Sequence, residues 1–307
     1  MVDELAEDFL GEYRANGRRS IGNAEARWLL HLKPFFGVYR ATQVTTPLLN
    51  RYIESRQQQG AKNATCNLEL AAVKRMFNLG RRNEKVRNVP VFPRLREDNV
   101  RKGFLKEEDY DSLAAECAKV GLWLRALLAV DYSFGWRKSE LLKLRVRQIE
   151  LATRTIRLEV GETKNDAGRT VKMTAEVFTL LSACVSGKRP EDYVFTREDG
   201  KPVRDFRKTW RKVSNAAGVA GLLLHDLRRS GVRNLRRLGV ADSVAMKISG
   251  HKTASVFRRY DITDEADLAD AAARLDAKRE QHVTQDGYNI GASASKTVHV
   301  ENTKPVN

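Results

Sequence analysis

ATRTIRLEVGETKNDAGRTVKM, residues 152–173, carries the clearest β-structure in this 307-residue chain. β-Branched residues crowd ATRTIRLEV (152–160) and RTVKM (169–173), and the turn-forming GETKNDAG (161–168) lies between them. Two such runs around a glycine-containing turn predict an antiparallel hairpin with Lys164 near its tip. Most of the remaining sequence shows the three-to-four-residue apolar spacing of helices. The fold class that follows is mainly α with a small antiparallel β-sheet.

Upstream of the hairpin, Leu5, Phe9, Leu10 and Tyr13 predict a first helix, and Leu29, Leu30, Leu32, Phe35 and Phe36 a second. TPLLNRYIESRQQQG (46–60) predicts a third, with Thr46 as N-cap, Pro47 at the first helical position and Gly60 as its stop. NLELAAVKRMFNLG (67–80) predicts a fourth, making a helical bundle. From Arg81 to Gly103 the chain holds two prolines, many charges and no periodicity, which reads as a linker. Domain boundaries are therefore expected at 1–98 and 99–280. In the second domain, helices are expected at 104–120, with acids in the first turn, and in GLWLRALLAVDYSFG (121–135). More follow the hairpin at 174–187, 204–218, 225–239, 241–250 and 264–280. Residues 281–307 are polar, rich in Thr, Ser and Asn, and read as a disordered tail.

Hydrophobic residues at 42% and charged residues at 31% suit a soluble globular protein. The formal charge is +16, with +6 in residues 1–99 and +10 in residues 100–280. A cationic surplus over both domains suits a polyanion held between them, and nucleic acid is the usual one. Cys66, Cys117 and Cys184 are isolated and odd in number, which argues against a disulfide framework and a zinc site. The acidic, amphipathic start MVDELAEDFLGEYR is unlike a signal peptide, and no apolar run approaches the roughly 18 residues of a membrane span. The expected place is the cytoplasm, on the nucleoid when DNA is bound.

Four local features carry chemistry. In FGWRKSELLKL (134–144), Arg137 and Glu140 stand three apart, on one helix face. In HDLRRSGVRNL (225–235), His225 and Arg228 are spaced alike at the start of a cationic helix, where an anion is favoured. Lys164 sits in the hairpin turn. ISGHKTASVFRRYDI (248–262) places His251 nine residues ahead of Tyr260. Each alone has an ordinary structural explanation: a surface ion pair, a solvated helix face, a solubility lysine, a packed tyrosine. Together they equip the cleavage of a phosphodiester by a tyrosine. A phenol, with a pKa near ~10, is a weak nucleophile at neutral pH. Two arginines can hold the charge that builds on the phosphate oxygens, histidines can handle the proton, and a lysine can protonate the departing oxygen.

In this order, FGWRKSELLKLR (134–145), TKNDAGR (163–169), HDLRRS (225–230) and SGHKTASVFRRY (249–260) resemble the signature boxes of the tyrosine recombinases, the phage-integrase family. The resemblance covers the second domain and implies an α+β catalytic domain behind a helical core-binding (SAM-like) bundle. AKNATCNLELAAVKRMFNLG (61–80) is the best local match to that bundle. It implies that Arg137 and Arg228 grip the scissile phosphate and Lys164 protonates the leaving oxygen. His225 and His251 handle protons and bind phosphate, Glu140 positions its neighbours, and Tyr260 is the nucleophile that forms a 3′-phosphotyrosyl bond. No metal, ATP or other cofactor is implied.

The partners implied are double-stranded DNA at core sites, further copies of the chain in a tetramer on DNA, and an accessory DNA-bending or directionality protein. The run VFRRYDITDEADLADAAARLD (256–276) looks more like integrases of prophages and mobile elements. A type IB topoisomerase and a non-catalytic DNA-binding protein are the alternatives. Leu268, Ala271, Ala272 and Leu275 share one face of the last helix, which would dock on its own domain or on a neighbouring protomer. Many integrases carry an extra N-terminal domain for arm sites; here the first helix opens near Leu5, leaving arm-site binding open. Arg51, Lys74, Arg207 and Arg211 are candidates for base contacts, and Arg258 and Arg259 face either DNA backbone or solvent.

Overall fold

The computed structural model describes residues 1–97, 101, 103–159, 168–260, 265, 267–269 and 271–278. The chain divides into two compact units, Met1–Arg101 and Lys102–Asn307. Among the described residues no helix is long and apolar enough to cross a membrane.

In the first unit, α1 (Val2–Ala15) buries Leu5, Phe9 and Leu10 as its spacing predicts. The second helix departs from expectation. α2 (Ile21–Arg27) passes through a π-helical turn (Trp28–Leu32) into α3 (Lys33–Phe36). The wider π turn shifts the phase, so Trp28, Leu32 and Phe36, four apart, form the buried face. Leu29 and Leu30, read as part of the apolar stripe, are 58% and 69% exposed.

α4 (Thr46–Gln58) has Thr45, not Thr46, at its N-cap position. Thr46 is already helical and donates its hydroxyl to the Val91 carbonyl at 2.9 Å. Gly60 ends that helix, adopting a left-handed φ of 83° that a side chain disfavours. α5 (Asn63–Arg82) runs two residues past the expected stop. The expected linker is partly a strap on this unit. Asn67 pairs with both the N–H and the C=O of Leu95 at 2.9 Å, and Asn63 donates to the Arg96 carbonyl at 2.8 Å. Amide side chains thus satisfy backbone that has no strand partner.

Among the described residues, the core of this bundle holds an ionic group. Glu69, 1% exposed, accepts from the Tyr52 hydroxyl at 2.8 Å and from Arg56 through two bonds of 2.9 Å. Burial pushes the Glu69 carboxyl up, but the bonds from Arg56 and Tyr52 outweigh it and hold the pKa below the usual value. Arg56→Met leaves that carboxylate buried with half its partners. The expected loss is about 3–5 kcal/mol, read as a lower urea midpoint with an unchanged slope.

The second unit is built around α7 (Leu122–Phe134), buried along most of its length and preceded by α6 (Tyr110–Val120). α8 (Lys138–Leu141) is a single turn. The expected hairpin is present as β2 (Thr155–Leu158) and β3 (Arg169–Lys172), antiparallel, with Leu158 opposite Arg169. An unforeseen two-residue strand, β1 (Ile149–Glu150), extends the sheet in the order β1-β2-β3. Alternation sends Ile156, Leu158 and Val171 into the core. The hairpin tip, with Lys164, lies outside the described residues.

Then come α9 (Ala175–Val185), capped by the Thr174 hydroxyl, α10 (Arg207–Ala216), α11 (Leu224–Arg237), α12 (Asp242–Ser249) and α13 (Ala254–Phe257). α11 packs closely on the end of α7. A Cβ on Gly231 would come within 2.8 Å of the Gly135 nitrogen, so a glycine is needed at this crossing. Beyond α13, described residues 265, 267–269 and 271–278 are helical. Asp267 pairs there with Arg233 and Arg237, while Leu268 and Leu275 are 64% and 69% exposed.

Candidate active site

The arrangement starts at the end of α7. Gly135 takes the left-handed conformation at φ 62°, ending the helix and turning Trp136 inward and Arg137 toward the site. Trp136 anchors the turn by donating its indole N–H to the Ile248 carbonyl at 2.8 Å. Arg137 is the N-cap residue of α8, and Glu140 reaches back to it in a capping box. The Glu140 carboxylate accepts from the Arg137 guanidinium at 2.9 Å and from its backbone N–H at 3.1 Å. Glu140 is 3% exposed, so burial would raise its pKa. Arg169 and Arg137 outweigh that and hold it below the ordinary carboxylate value.

Arg228, one turn into α11, is 1% exposed. Its Nη1 donates to the carbonyls of Gly135 at 2.5 Å and Ser249 at 2.8 Å, and its Nη2 to Nε2 of His251 at 2.8 Å. Two of its five donors, Nε–H and a second hydrogen on Nη2, have no partner among the described residues. A donor from Arg228 requires that His251 accept through Nε2, so the tautomer assigned by this network carries its proton on Nδ1. Nδ1 lies 2.8 Å from the Ser249 hydroxyl, which itself donates to the Ala245 carbonyl at 2.7 Å. Burial, with Arg228 and Arg137 nearby, pushes His251 down to about 3. It is a neutral imidazole at physiological pH, fixed in orientation on both nitrogens.

α13 and the turn after it bring Tyr260 over this floor. Phe257 buries against Val232 and Ala245, and the half-buried Tyr260 packs on the same small cluster. Its ring centroid lies 4.8 Å from that of His251 and 5.4 Å from the Arg228 guanidinium. Its hydroxyl is 3.1 Å from Nε2 of His225. His225 keeps a solvent-exposed edge. Desolvation on its protein side, together with Arg228 and Arg229, still holds its pKa below the usual imidazole value. A neutral His225 can accept the tyrosine proton.

The structure therefore gathers Arg137, Glu140, His225, Arg228, His251 and Tyr260, drawn from three separate segments. Lys164 lies outside the described residues. Arg258 and Arg259 are both exposed, as are Arg51, Lys74, Arg207 and Arg211.

Two groups at the site were not anticipated. Arg169, on β3, pairs with Glu140 and stands 4.9 Å above the Trp136 ring. It is the last residue of the TKNDAGR box, in which Lys164 alone carries an expected role. Asp131, on α7, is fully enclosed, and one carboxyl oxygen has no partner among the described residues. Burial drives its pKa well above the carboxylate range, although Arg228 and a bond from the Trp136 backbone N–H pull the other way. A carboxyl whose folded pKa is raised contributes stability that is full below its unfolded pKa and is lost as pH climbs through the folded value. Asp131→Asn removes this titration and keeps an acceptor for Trp136. Its expected effect is a gain of roughly 1–3 kcal/mol at pH 8 that shrinks toward about pH 4, measured by thermal melts across that range.

The profile of the phage integrase family matches residues 103–266, more than half of the chain. The chain belongs to the phage integrase family. Its relatives are tyrosine recombinases, and it is an enzyme of that type. Tyrosine recombinase XerA of Saccharolobus solfataricus is 28% identical over 230 residues, covering 71% of this chain and 74% of XerA. Tyrosine recombinase XerD of Proteus mirabilis is 27% identical over 262 residues, 78% of each chain. Among solved structures, the Tn1549 transposon integrase in complex with a circular intermediate DNA superposes with a TM-score of 0.74 at 16% identity. That match covers 90% of this integrase-family chain and 99% of the other, and it establishes a shared fold.

Proposed function

We propose that this family member is a site-specific DNA recombinase that cleaves and rejoins strands through a 3′-phosphotyrosyl intermediate, for integration or excision of a mobile element. The observation that carries the reading is the pairing of the Tyr260 hydroxyl with His225 at 3.1 Å, directly above Arg228. The tyrosine oxygen attacks phosphorus as its proton passes to His225. Negative charge on the phosphate oxygens meets the free donors of Arg228 and the Arg137 guanidinium. His251 holds Arg228 in place from a neutral, immobile ring. The bond from phosphorus to the 5′ oxygen breaks, and Lys164 supplies the proton for that oxygen. The new P–O bond to Tyr260 replaces the one lost, so rejoining to another 5′-hydroxyl needs no ATP or metal.

Residues 1–98 form the core-binding domain in this reading and residues 99–280 the catalytic one, both contributing phosphate contacts to double-stranded DNA. The DNA-bound Tn1549 relative supports that partner. The exposed Leu268 and Leu275 support assembly of several protomers through the last helix, in a tetramer on DNA. An accessory DNA-bending or directionality protein completes the expected set.

The test uses DNA that the wild-type chain attaches to covalently, recovered by denaturing capture and sequencing. Two copies of that sequence are placed on one supercoiled plasmid. Deletion or inversion that requires both copies is the expected result. Relaxation of plasmids lacking the sequence would instead identify a type IB topoisomerase, and binding with no covalent product a DNA-binding protein.

A further inference from the structure

Arg169 makes contact with both sides of the site. Its side chain is 7% exposed and pairs with Glu140, whose other partner is Arg137. Its guanidinium stacks on Trp136, the residue that fixes the turn ahead of Arg137. On the other side it lies against Gly250, next to His251. A Cβ added to Gly250, already left-handed at φ 71°, would overlap the guanidinium itself. Arg169, Arg137, Gly250 and His251 also line a common cleft of about 560 Å³.

Burying an arginine this deeply is costly unless its charge is used. Glu140 alone satisfies it, and Nε has no partner among the described residues. The return is electrostatic: a buried carboxylate must remain ionised to orient Arg137, and one arginine that also faces substrate is a weak guarantee. We infer that Arg169 is a positioning residue for strand cleavage, which keeps Glu140 ionised and so aims Arg137 at the scissile phosphate. The inference rests on the proposed role of Arg137.

The charged groups around Glu140 are Arg137 ahead of α8, Arg169 on β3, Asp131 on α7 and Arg228 on α11. His251 also feels Arg169. Without Arg169, burial of Glu140 is opposed chiefly by Arg137, and the carboxyl protonates at higher pH. A merely structural arginine would alter stability without moving a pH profile.

The experiment measures single-turnover cleavage of the captured wild-type duplex, with protein in excess, from about pH 5 to pH 8.5. Wild type, Arg169→Met, Arg169→Lys and Arg169→Met combined with Glu140→Gln are compared, each checked for a cooperative melt. Arg169→Met is expected to move the acidic limb up by at least about one pH unit, lowering the rate at pH 5 at least about twofold relative to that at pH 8. Arg169→Lys should return the limb to its wild-type position, because a charge is what is needed. In the double variant the limb should not be displaced, which separates Glu140 from His251. An unmoved limb in Arg169→Met, an equal shift in Arg169→Lys, or a shift that persists without Glu140 would each overturn the inference. Failure of wild type to form any adduct would remove the functional reading itself, a distinct result.

Discussion

Tyr260→Phe is expected to abolish covalent attachment to DNA, by about 10⁴-fold or more, while binding and thermal stability stay close to wild type. The only hydrogen bond of the Tyr260 side chain among the described residues is the one to His225 at 3.1 Å. The ring supplies the packing, against His251 at 4.8 Å and beside Phe257, and phenylalanine preserves all of it. What is lost is one oxygen nucleophile; the Ser249 hydroxyl, which also meets a histidine, is fully buried and donates to the Ala245 carbonyl. Denaturing gels of protein with end-labelled DNA, run beside native shift assays, separate attachment from binding. Adducts that persist in the phenylalanine variant would displace Tyr260 from the role proposed for it.

The second large effect is expected at Arg228. Arg228→Lys conserves charge but should lower cleavage by roughly 10²–10³-fold and stability by about 1–3 kcal/mol. The guanidinium spans the Gly135 and Ser249 carbonyls and His251 at once, and two of its donors remain without a partner among the described residues. An ammonium has three donors at one point and cannot reach the same partners while facing a phosphate. Burial and the neighbouring Arg137 already depress the Arg228 pKa to about 10. A lysine in this position would be pushed toward its neutral form, compounding the loss. Affinity for DNA should change far less than the rate, because Arg228 is only 1% exposed and the proposed binding draws on many exposed cations. A lysine variant cleaving within a few-fold of wild type would show that charge alone suffices.

Much of this site was legible because its chemistry imposes short spacings. Arg137 with Glu140 and His225 with Arg228 stand at three-residue separation, and the helix expected at 241–250 does end at Gly250. The hairpin was equally plain, since β-branched runs flank a glycine-containing turn. Other features depend on groups distant in sequence. The phase shift that exposes Leu29 and Leu30 comes from a π turn, which apolar spacing does not encode. The strap on α5 depends on Asn63 and Asn67 meeting backbone some thirty residues later. Arg169 looked like one more arginine in a strand, because its partners come from two distant segments, Trp136 and Glu140 from one and Gly250 from the other. Asp131 gave no signal either: within an apolar helix it resembles an ordinary polar interruption, and only enclosure beside Arg228 makes it unusual.

The measurement that tests the central claim most directly is the chemical identification of the linkage. Wild-type protein, trapped on the captured DNA, would be digested with nuclease and protease and the nucleotide-bearing peptide sequenced by mass spectrometry. The account predicts a single modified peptide with nucleotide joined through a 3′ phosphate to Tyr260, and a free 5′-hydroxyl on the other DNA end. Nucleotide on another residue, or a 5′ linkage to the protein, would contradict it.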